Sequence, residues 1–553
     1  MEGFIPDVVA EEENRHKVQS ADDEDDELSG GIEEDNDEED ALPTSEIIGT
    51  RRTQQTRNLQ ILRRQQRKAS RKKYLEAVTP RLEILQNMPF FIPFATRVQI
   101  FRQFVLMDQT RRRGGHIDPD SWRLSTVQGL HQRGMENRMI EHEIINRHHA
   151  RIKRDSVFQD AYDQFYELGE GLKEPIQITF VDRFNTPEAG IDGGGVTKEF
   201  LTSVTNEAFS PSSGLNLFVE NDHNLLYPNP SAVDERKYYL RHAGIKEGSL
   251  DWSYHIRDLL RRYEFLGRIV GKCLYEGILV DVGFAGFFLL KWALTGGSGM
   301  ASRESSYRAN LNDLRDLDEG LYQGLLQLKN YEGDVGDFSL NFTVTDPISA
   351  SDGSDGAAPS RTITHELKPN GSNIPVTNEN RLVYISYIAR HRLQLQPHLQ
   401  TNAFLRGLGE IIQPSWLSMF NQSELQTLVG GDSSEIDVAD LRKNTLYGGV
   451  YAIGDDQKEH PCIQMFWEVM TSLSDSERRN VLKFVTSTPR APLLGFGQLN
   501  PRFSIRDAGE DQERLPSAST CVNLLKLPRY ESGKTMREKL LYAVNAGAGF
   551  DLS

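Results

Sequence analysis

Few residues in this chain can do covalent chemistry. There are three cysteines, Cys273, Cys462 and Cys521. Cys273 shares a helix-spaced apolar stripe with Phe265, Leu266, Ile269, Val270, Leu274 and Ile278. Burial there should raise its thiol pKa and block access. Cys462 follows Pro461 at the entry to Ile463-Gln464-Met465-Phe466-Trp467, again a packing context. Cys521 differs. It follows Leu515-Pro516-Ser517-Ala518-Ser519-Thr520 and precedes Val522-Asn523, a loop of small polar residues in which a sulfur stays accessible. Thr520 and Asn523 can hydrogen-bond beside it. The pattern fits either a reactive nucleophile or a free surface thiol. A protease-like Cys/His pair would have to be assembled from afar, because His460 is the nearest preceding histidine and none follows. Transthiolation needs a strong base less, since the acyl group moves between thiols of similar pKa.

Other chemistries find weaker support. Gly190-Ile191-Asp192-Gly193-Gly194-Gly195 opens a helix at Thr197-Lys198-Glu199, a context that phosphate loops use. The spacing matches neither dinucleotide nor Walker patterns, and a tight structural turn is the better reading. His148 and His149 are adjacent, so their side chains diverge, and neither a C-x-x-C nor an H-E-x-x-H pattern exists. No metal site is expected. The formal charge is −17 over 553 residues, distributed as −17 in 1–50, +10 in 51–73 and −10 in the remainder. That balance argues against a nucleic-acid binder. The basic stretch reads as a localisation signal, a phosphate-binding stripe or a solvated helix face. The most apolar stretch, 278–290, is too short to span a bilayer, and the sparse cysteines suit a reducing compartment, cytosol or nucleus.

The surrounding elements follow from periodicity. Residues 1–50 carry too many acids to bury a core and should stay disordered. Apolar spacing predicts a helix through Val98, Ile100, Phe101, Phe104 and Val105, and a helix capped by Ser156 with the stripe Phe158, Ala161, Tyr162, Phe165. Residues 111–147 read as an insertion or loose helix. Ile176–Val181 reads as a strand. Leu340, Phe342 and Val344 alternate with polar neighbours, and a loop leads to a second strand near Ile363–Leu367, which predicts an exposed hairpin. Helices follow near 379–394 and 402–412. Ser474…Glu477 and Thr535…Glu538 read as capping boxes, with strands near Phe503–Arg506 and Val522–Leu527 between them. Gly448-Gly449 separates an α-rich body from this last unit.

The motif Leu515-Pro516-x-x-x-Thr520-Cys521-x-Asn523-x-x-x-Leu527-Pro528-x-Tyr530 resembles the active-site motif of HECT-type ubiquitin ligases. Glu188–Gly195 with Lys198-Glu199-Phe200, Leu226–Pro230, Phe265-Leu266-Gly267, Ile374–Asn380, Leu493–Phe496 and Gly549–Ser553 resemble other signatures of that family, in its order. Many members have a histidine just before the Thr-Cys pair, where this chain has Ser519. Ser519-Thr520-Cys521 with Leu524–Pro528 resembles the E-three-C-type branch, which includes proteasome-associated, chain-extending ligases.

The resemblance implies an α+β, bilobed fold. After a disordered acidic then basic segment (1–78) and a helical extension with an insertion (79–154), it implies a large, mainly α-helical N-lobe (155–446). A conjugating-enzyme-binding subdomain (288–378), a glycine hinge (447–451, with Gly448 and Gly449) and a small α/β C-lobe (452–553) complete it. Cys521 would take ubiquitin from a conjugating enzyme as a thioester and pass it to a lysine of a substrate or of ubiquitin, building chains for proteasomal degradation. Thr520 and Asn523 would orient the thioester, Asp551 would help deprotonate the amine, and Phe550 would anchor the tail. Leu325, Leu328, Leu340 and Phe342 would either line the conjugating-enzyme groove or pack internally. The implied partners are ubiquitin, a conjugating enzyme, protein substrates and the proteasome, with no cofactor and no membrane. The rival readings are a cysteine hydrolase acting on ubiquitin or peptides, and a non-catalytic scaffold.

Overall fold

The computed structural model describes residues 3–30, 80–115, 121–125, 147–187, 195–294, 307–347, 362–454 and 458–546. The chain forms two compact units, Met1–Arg111 and Arg112–Ser553.

In the first unit, α1 (Phe4–Gly30) packs against α2 (Pro80–Asn87) through buried Val8, Leu82 and Leu85. The Glu11 carboxylate accepts the backbone N–H groups of Arg81 and Leu82, both at 3.0 Å, and pairs with the Arg81 guanidinium. An anion thus satisfies donors that the first turn of α2 would otherwise leave bare. The expectation of disorder over 1–78 is corrected for residues 4–30. The composition argument missed a short apolar and carboxylate contact made across about 70 residues of sequence. The remainder of that segment lies outside the described residues. In α3 (Phe94–Arg112) the stripe Val98, Ile100, Phe101, Phe104 and Val105 is buried.

The second unit begins with β1 (His149–Lys153), which pairs in parallel with β2 (Gln177–Val181) through the crossover helix α4 (Val157–Phe165). This pairing ties residues 149–153 to the large lobe, so the boundary drawn at 154 falls in the turn between β1 and α4 and divides one β-α-β unit. Ser156 stands at the N-terminus of α4, but its side chain makes no capping bond. Then come α5 (Gly195–Phe209), the hairpin β3 (Phe218–Glu220) with β4 (Leu226–Pro228), α6 (Ala232–His242) and α7 (Leu250–Glu276). They are followed by α8 (Gly286–Leu294), α9 (Glu319–Asn330), the antiparallel pair β5 (Thr343–Pro347) and β6 (Thr362–Glu366), and α10 (Arg381–Arg390), α11 (His398–Ile411) and α12 (Gln422–Gly430).

The large lobe is organised on α7 and α11. Gly267 and Gly407 bring the two backbones into direct contact. A Cβ at Gly267 would lie 2.0 Å from the Phe404 carbonyl oxygen, and one at Gly407 would lie 1.8 Å from that of Glu264. No side chain fits at either position. Arg268 and Arg406 flank the crossing and reach the Glu264 and Glu410 carboxylates. Phe288, Trp292 and Phe404 fill the adjacent core, with ring centroids 5.3–5.7 Å apart.

The second lobe is a four-stranded sheet covered by helices. Its strand order is β7 (Leu446–Gly448), β8 (Ser504–Asp507), β10 (Leu524–Leu527), β9 (Ser517–Ser519). β7 and β10 run parallel to β8, and β9 is antiparallel to β10. The helices are α13 (Val438–Lys443), α14 (Pro461–Ser472), α15 (Asp475–Thr486) and α16 (Gly533–Asn545). The Ser474–Glu477 capping box opens α15 with both reciprocal bonds. The box expected at Thr535 does not form, because α16 starts earlier and the Ser532 hydroxyl accepts the Thr535 N–H.

The glycine hinge at 447–451 is corrected. Gly448 belongs to β7 and pairs with Arg506, and Tyr451 is fully buried in the small-lobe core. Ile436 and Leu441 join the same core, and the Asp440 carboxylate accepts the Phe496 N–H. The chain therefore enters this lobe at Gly430-Gly431, where α12 ends and Gly431 adopts φ +89°. Sequence alone marked the later glycine pair because adjacent glycines signal freedom, and pairing of β7 with β8 removes that freedom at Gly448.

Candidate active site

Cys521 lies in a 3-10 turn, Thr520–Val522, at the tip between β9 and β10. The pairing Leu524↔Ser519 and Leu525↔Ala518 closes the hairpin directly behind it. Asn523 ends the turn with φ 50° and ψ 41°, the left-handed region that asparagine tolerates better than most residues. Its backbone carbonyl accepts the Ser504 N–H at 2.9 Å, which ties the turn to β8. At the base of the loop the Tyr530 hydroxyl donates to the Arg514 carbonyl at 2.5 Å. The motif residues Leu527 and Tyr530 are thus loop-builders, buried in the small-lobe core.

Asn523 is built into the framework of the turn. Its side chain is fully buried. The amide nitrogen donates to the Pro501 carbonyl, and Oδ1 accepts from the Lys198 ammonium at 2.5 Å. The amide end is tied into the small lobe and the oxygen end to the large-lobe Lys198, so this buried side chain holds the turn that carries Cys521. The Thr520 carbonyl accepts from Lys198 Nζ and from the Asn523 N–H, each at 3.4 Å. Lys198 is the residue that sequence reasoning missed as part of the site. It sits on the first turn of α5, and its signals were a place just after a glycine run and a share in the Lys198-Glu199-Phe200 signature, neither of which tied it to Cys521.

The other thiols are held inert. Cys273 is buried in α7, and burial pushes its thiol up to about 12. Burial also raises the Cys462 thiol, which accepts from the Tyr451 hydroxyl at 3.4 Å. His460 accepts the Cys462 N–H as the cap of α14, so it is occupied elsewhere. His148 and His149 face different partners, the Gly171 carbonyl and the Thr179 hydroxyl. Among the described residues no cluster of three or more His, Cys, Asp or Glu could hold a metal, and no helix is long and apolar enough to cross a membrane.

The expected docking residues need correction. Leu325, Leu328 and Phe342 are 5%, 8% and 0% exposed, and Leu340 is half-buried. The Phe342 ring is covered by Tyr384, edge-on at 5.4 Å, and by Lys368, 3.6 Å from its centroid. Leu325, Leu328 and Phe342 form the inside of the subdomain rather than a groove on it, and Leu340 is partly covered at its edge. Its exposed apolar side chains are instead Phe338 and Tyr331, with rings 4.8 Å apart, and Leu382 and Val383. Arg381 donates to the Tyr331 carbonyl at 2.5 Å, which makes the patch continuous with the start of α10. Phe550 and Asp551 lie outside the described residues, as do Gly190–Gly194.

Comparison with known proteins matches residues 202–553 to the HECT domain, described as a ubiquitin-transferase. A probable E3 ubiquitin protein ligase of Schizosaccharomyces pombe is 42% identical over 86% of this chain and 39% of its own length. The E3 ubiquitin-protein ligase HUL5 of Saccharomyces cerevisiae is 39% identical over 86% of this chain and 45% of its own. The human ubiquitin-protein ligase E3B is 34% identical over 85% and 40%. The chain therefore spans about two fifths of the length of these relatives. With a small sheet lobe that presents Cys521 on a hairpin tip and a large helical lobe beside it, the chain belongs to the HECT-domain family of ubiquitin transferases, in the branch of its HUL5 and E3B relatives.

Proposed function

We propose that this chain is a ubiquitin ligase that carries ubiquitin as a thioester on Cys521 and transfers it to lysine, building chains that direct substrates to the proteasome. The observation that supports it most is the hairpin tip. A cysteine there can meet two large partners in turn, whereas the other two thiols are buried. In the first step the Cys521 thiolate attacks the carbonyl carbon of ubiquitin's thioester, and the conjugating enzyme's thiolate leaves. In the second, a neutral lysine amine attacks the new thioester, loses a proton, and the Cys521 thiolate leaves. A lysine with its ordinary pKa near 10.4 must first give up a proton. Asp551, carried toward the thioester by a docked Phe550, is the acceptor that the family resemblance supplies.

The test is to mix the full chain with ubiquitin-charged conjugating enzyme. A ubiquitin adduct removed by reductant is expected, and Cys521→Ala should abolish it while Cys273→Ala and Cys462→Ala keep it. Release of free ubiquitin without chains would instead indicate a hydrolase, and no adduct at all a scaffold. Chasing the loaded protein with free lysine reads the Phe550 and Asp551 step separately from loading.

The conjugating enzyme is proposed to dock on the Phe338, Tyr331 and Leu382 patch. Phe338→Asp should weaken its binding by ~2 kcal/mol, as for a buried interface anchor, with an unchanged circular dichroism spectrum. Equal affinity in a titration would remove the patch from the reading.

A further inference from the structure

Lys198 is 7% exposed, yet it lies on the large lobe and reaches three oxygens of the small one. Its Nζ is 2.9 Å from the Thr486 carbonyl, 3.4 Å from the Thr520 carbonyl and 2.5 Å from Asn523 Oδ1. All three are oxygen acceptors, which suit the N–H donors of an ammonium. Thr486 is the last residue of α15, and its carbonyl is among those that a helix end leaves without an internal partner. A cation at that end also meets the negative pole of the helix. The other two acceptors bracket Cys521, at the residue before it and two residues after it. The 520–522 turn packs against α5, the helix that carries Lys198. Two other polar links nearby, among the described residues, are weaker. Lys483–Asp281 is exposed to solvent, where such a pair contributes little, and Arg490 reaches the Gly430 carbonyl at 3.4 Å.

We propose that Lys198 is a positioning residue for transfer: from the large lobe it clamps the turn that carries Cys521, and so makes the reactivity of that thiol depend on how the lobes are joined. This rests on the ligase reading for its biological meaning, but not for its test. The clamp has two effects. The turn keeps the left-handed Asn523 geometry, because Oδ1 and the amide nitrogen are both held. A buried positive charge also sits 3.4 Å from the carbonyl preceding Cys521, and a nearby cation favours thiolate. Thiolate is the attacking species in loading and the leaving group in discharge, so both steps depend on it. Separation of the lobes removes the charge and releases the turn.

The decisive measurement is the pH profile of iodoacetamide alkylation at Cys521 in the full chain, followed by peptide mass spectrometry. Lys198→Met keeps the aliphatic stem and removes the charge. It should shift the profile upward by about one pH unit, so that alkylation at neutral pH slows about tenfold. Loading from charged conjugating enzyme and discharge to lysine should slow by a similar factor, with unchanged affinity for the conjugating enzyme. Lys198→Arg should restore most of the profile. Asn523→Ala should move it in the same direction, and combining it with Lys198→Met should add little, as expected for one shared interaction. A profile and rates equal to the parent's in Lys198→Met would overturn the proposal. Should that variant fail to fold, Asn523→Ala alone decides, and an unshifted profile there overturns it equally. The predicted shifts in the variants, together with no ubiquitin adduct on the parent protein, would refute the ligase reading while leaving the clamp intact.

Discussion

Lys272 and Lys198 are both buried lysines, and their surroundings differ in one respect. Lys272 is fully buried in α7, and all its partners belong to the large lobe: Glu276 one turn on at 2.6 Å, and the carbonyls of Lys173 and Glu174 at 3.3 and 3.0 Å. Burial lowers its pKa and Glu276 opposes the shift. Lys198 gives its bonds to a different lobe. A buried cation whose partners move with it is a fixed part of the packing. One whose partners sit on another body can be made and broken without unfolding anything. The comparison separates stability from switching in residues of the same type and similar burial.

Lys272→Met should give the largest stability effect. Removing one member of a buried pair leaves Glu276 with Arg113 as its remaining partner among the described residues, and takes a donor from two carbonyls. A loss of ~3 kcal/mol is expected in urea unfolding. Per folded molecule, Cys521 alkylation should match the parent. A shifted alkylation profile in Lys272→Met would break the distinction between the two lysines.

A smaller effect should come from His391, which sharpens the comparison because it is buried uncharged. Burial, then His365 and Arg392, depress its pKa to about 4, against the opposing pull of Asp346 and Asp234. Its Nε2 has no hydrogen-bond partner among the described residues. The sign is set by proton uptake. Below about pH 6.5 the unfolded chain binds a proton that the folded chain refuses until about pH 4. The stability contribution is therefore complete above pH 6.5 and falls as pH drops through that window. Between pH 7 and 5 the loss should be ~1–2 kcal/mol. His391→Gln should flatten this part of the curve in pH-dependent unfolding, and an unaltered slope would show that other groups cause it.

Much of the local structure was readable. The Ser474–Glu477 box and the stripe of α7 depend on neighbours within a few residues, whereas the alternation through Leu340, Phe342 and Val344 gave a strand that in fact starts only at Thr343. What covers an apolar face was not readable. Periodicity marked Leu325, Leu328 and Phe342 as one-sided, but only the folded chain shows Tyr384 and Lys368 lying over Phe342. The cysteine was found because its loop chemistry is local. The lysine that holds the loop was not, since Lys198 and Asn523 are 325 residues apart. The lobe boundary was misplaced for a related reason. A glycine pair signals freedom, and strand pairing with distant residues removed that freedom at Gly448 while leaving Gly430-Gly431 as the crossover.

The contact of Gly267 with Gly407 has a mechanical consequence. Helices that meet through side chains can slide by exchanging rotamers, and shear motions in proteins are made of such small slips. Where backbone lies on backbone, there is no such layer to yield. α7 spans 27 residues, about 40 Å at 1.5 Å per residue, and the Arg268 and Arg406 ion pairs brace it on both sides of the crossing. It behaves as a girder. A push delivered by a partner bound at one end of the large lobe is carried to the other with little lost to internal give, and the compliance is concentrated at the glycine crossover beyond α12.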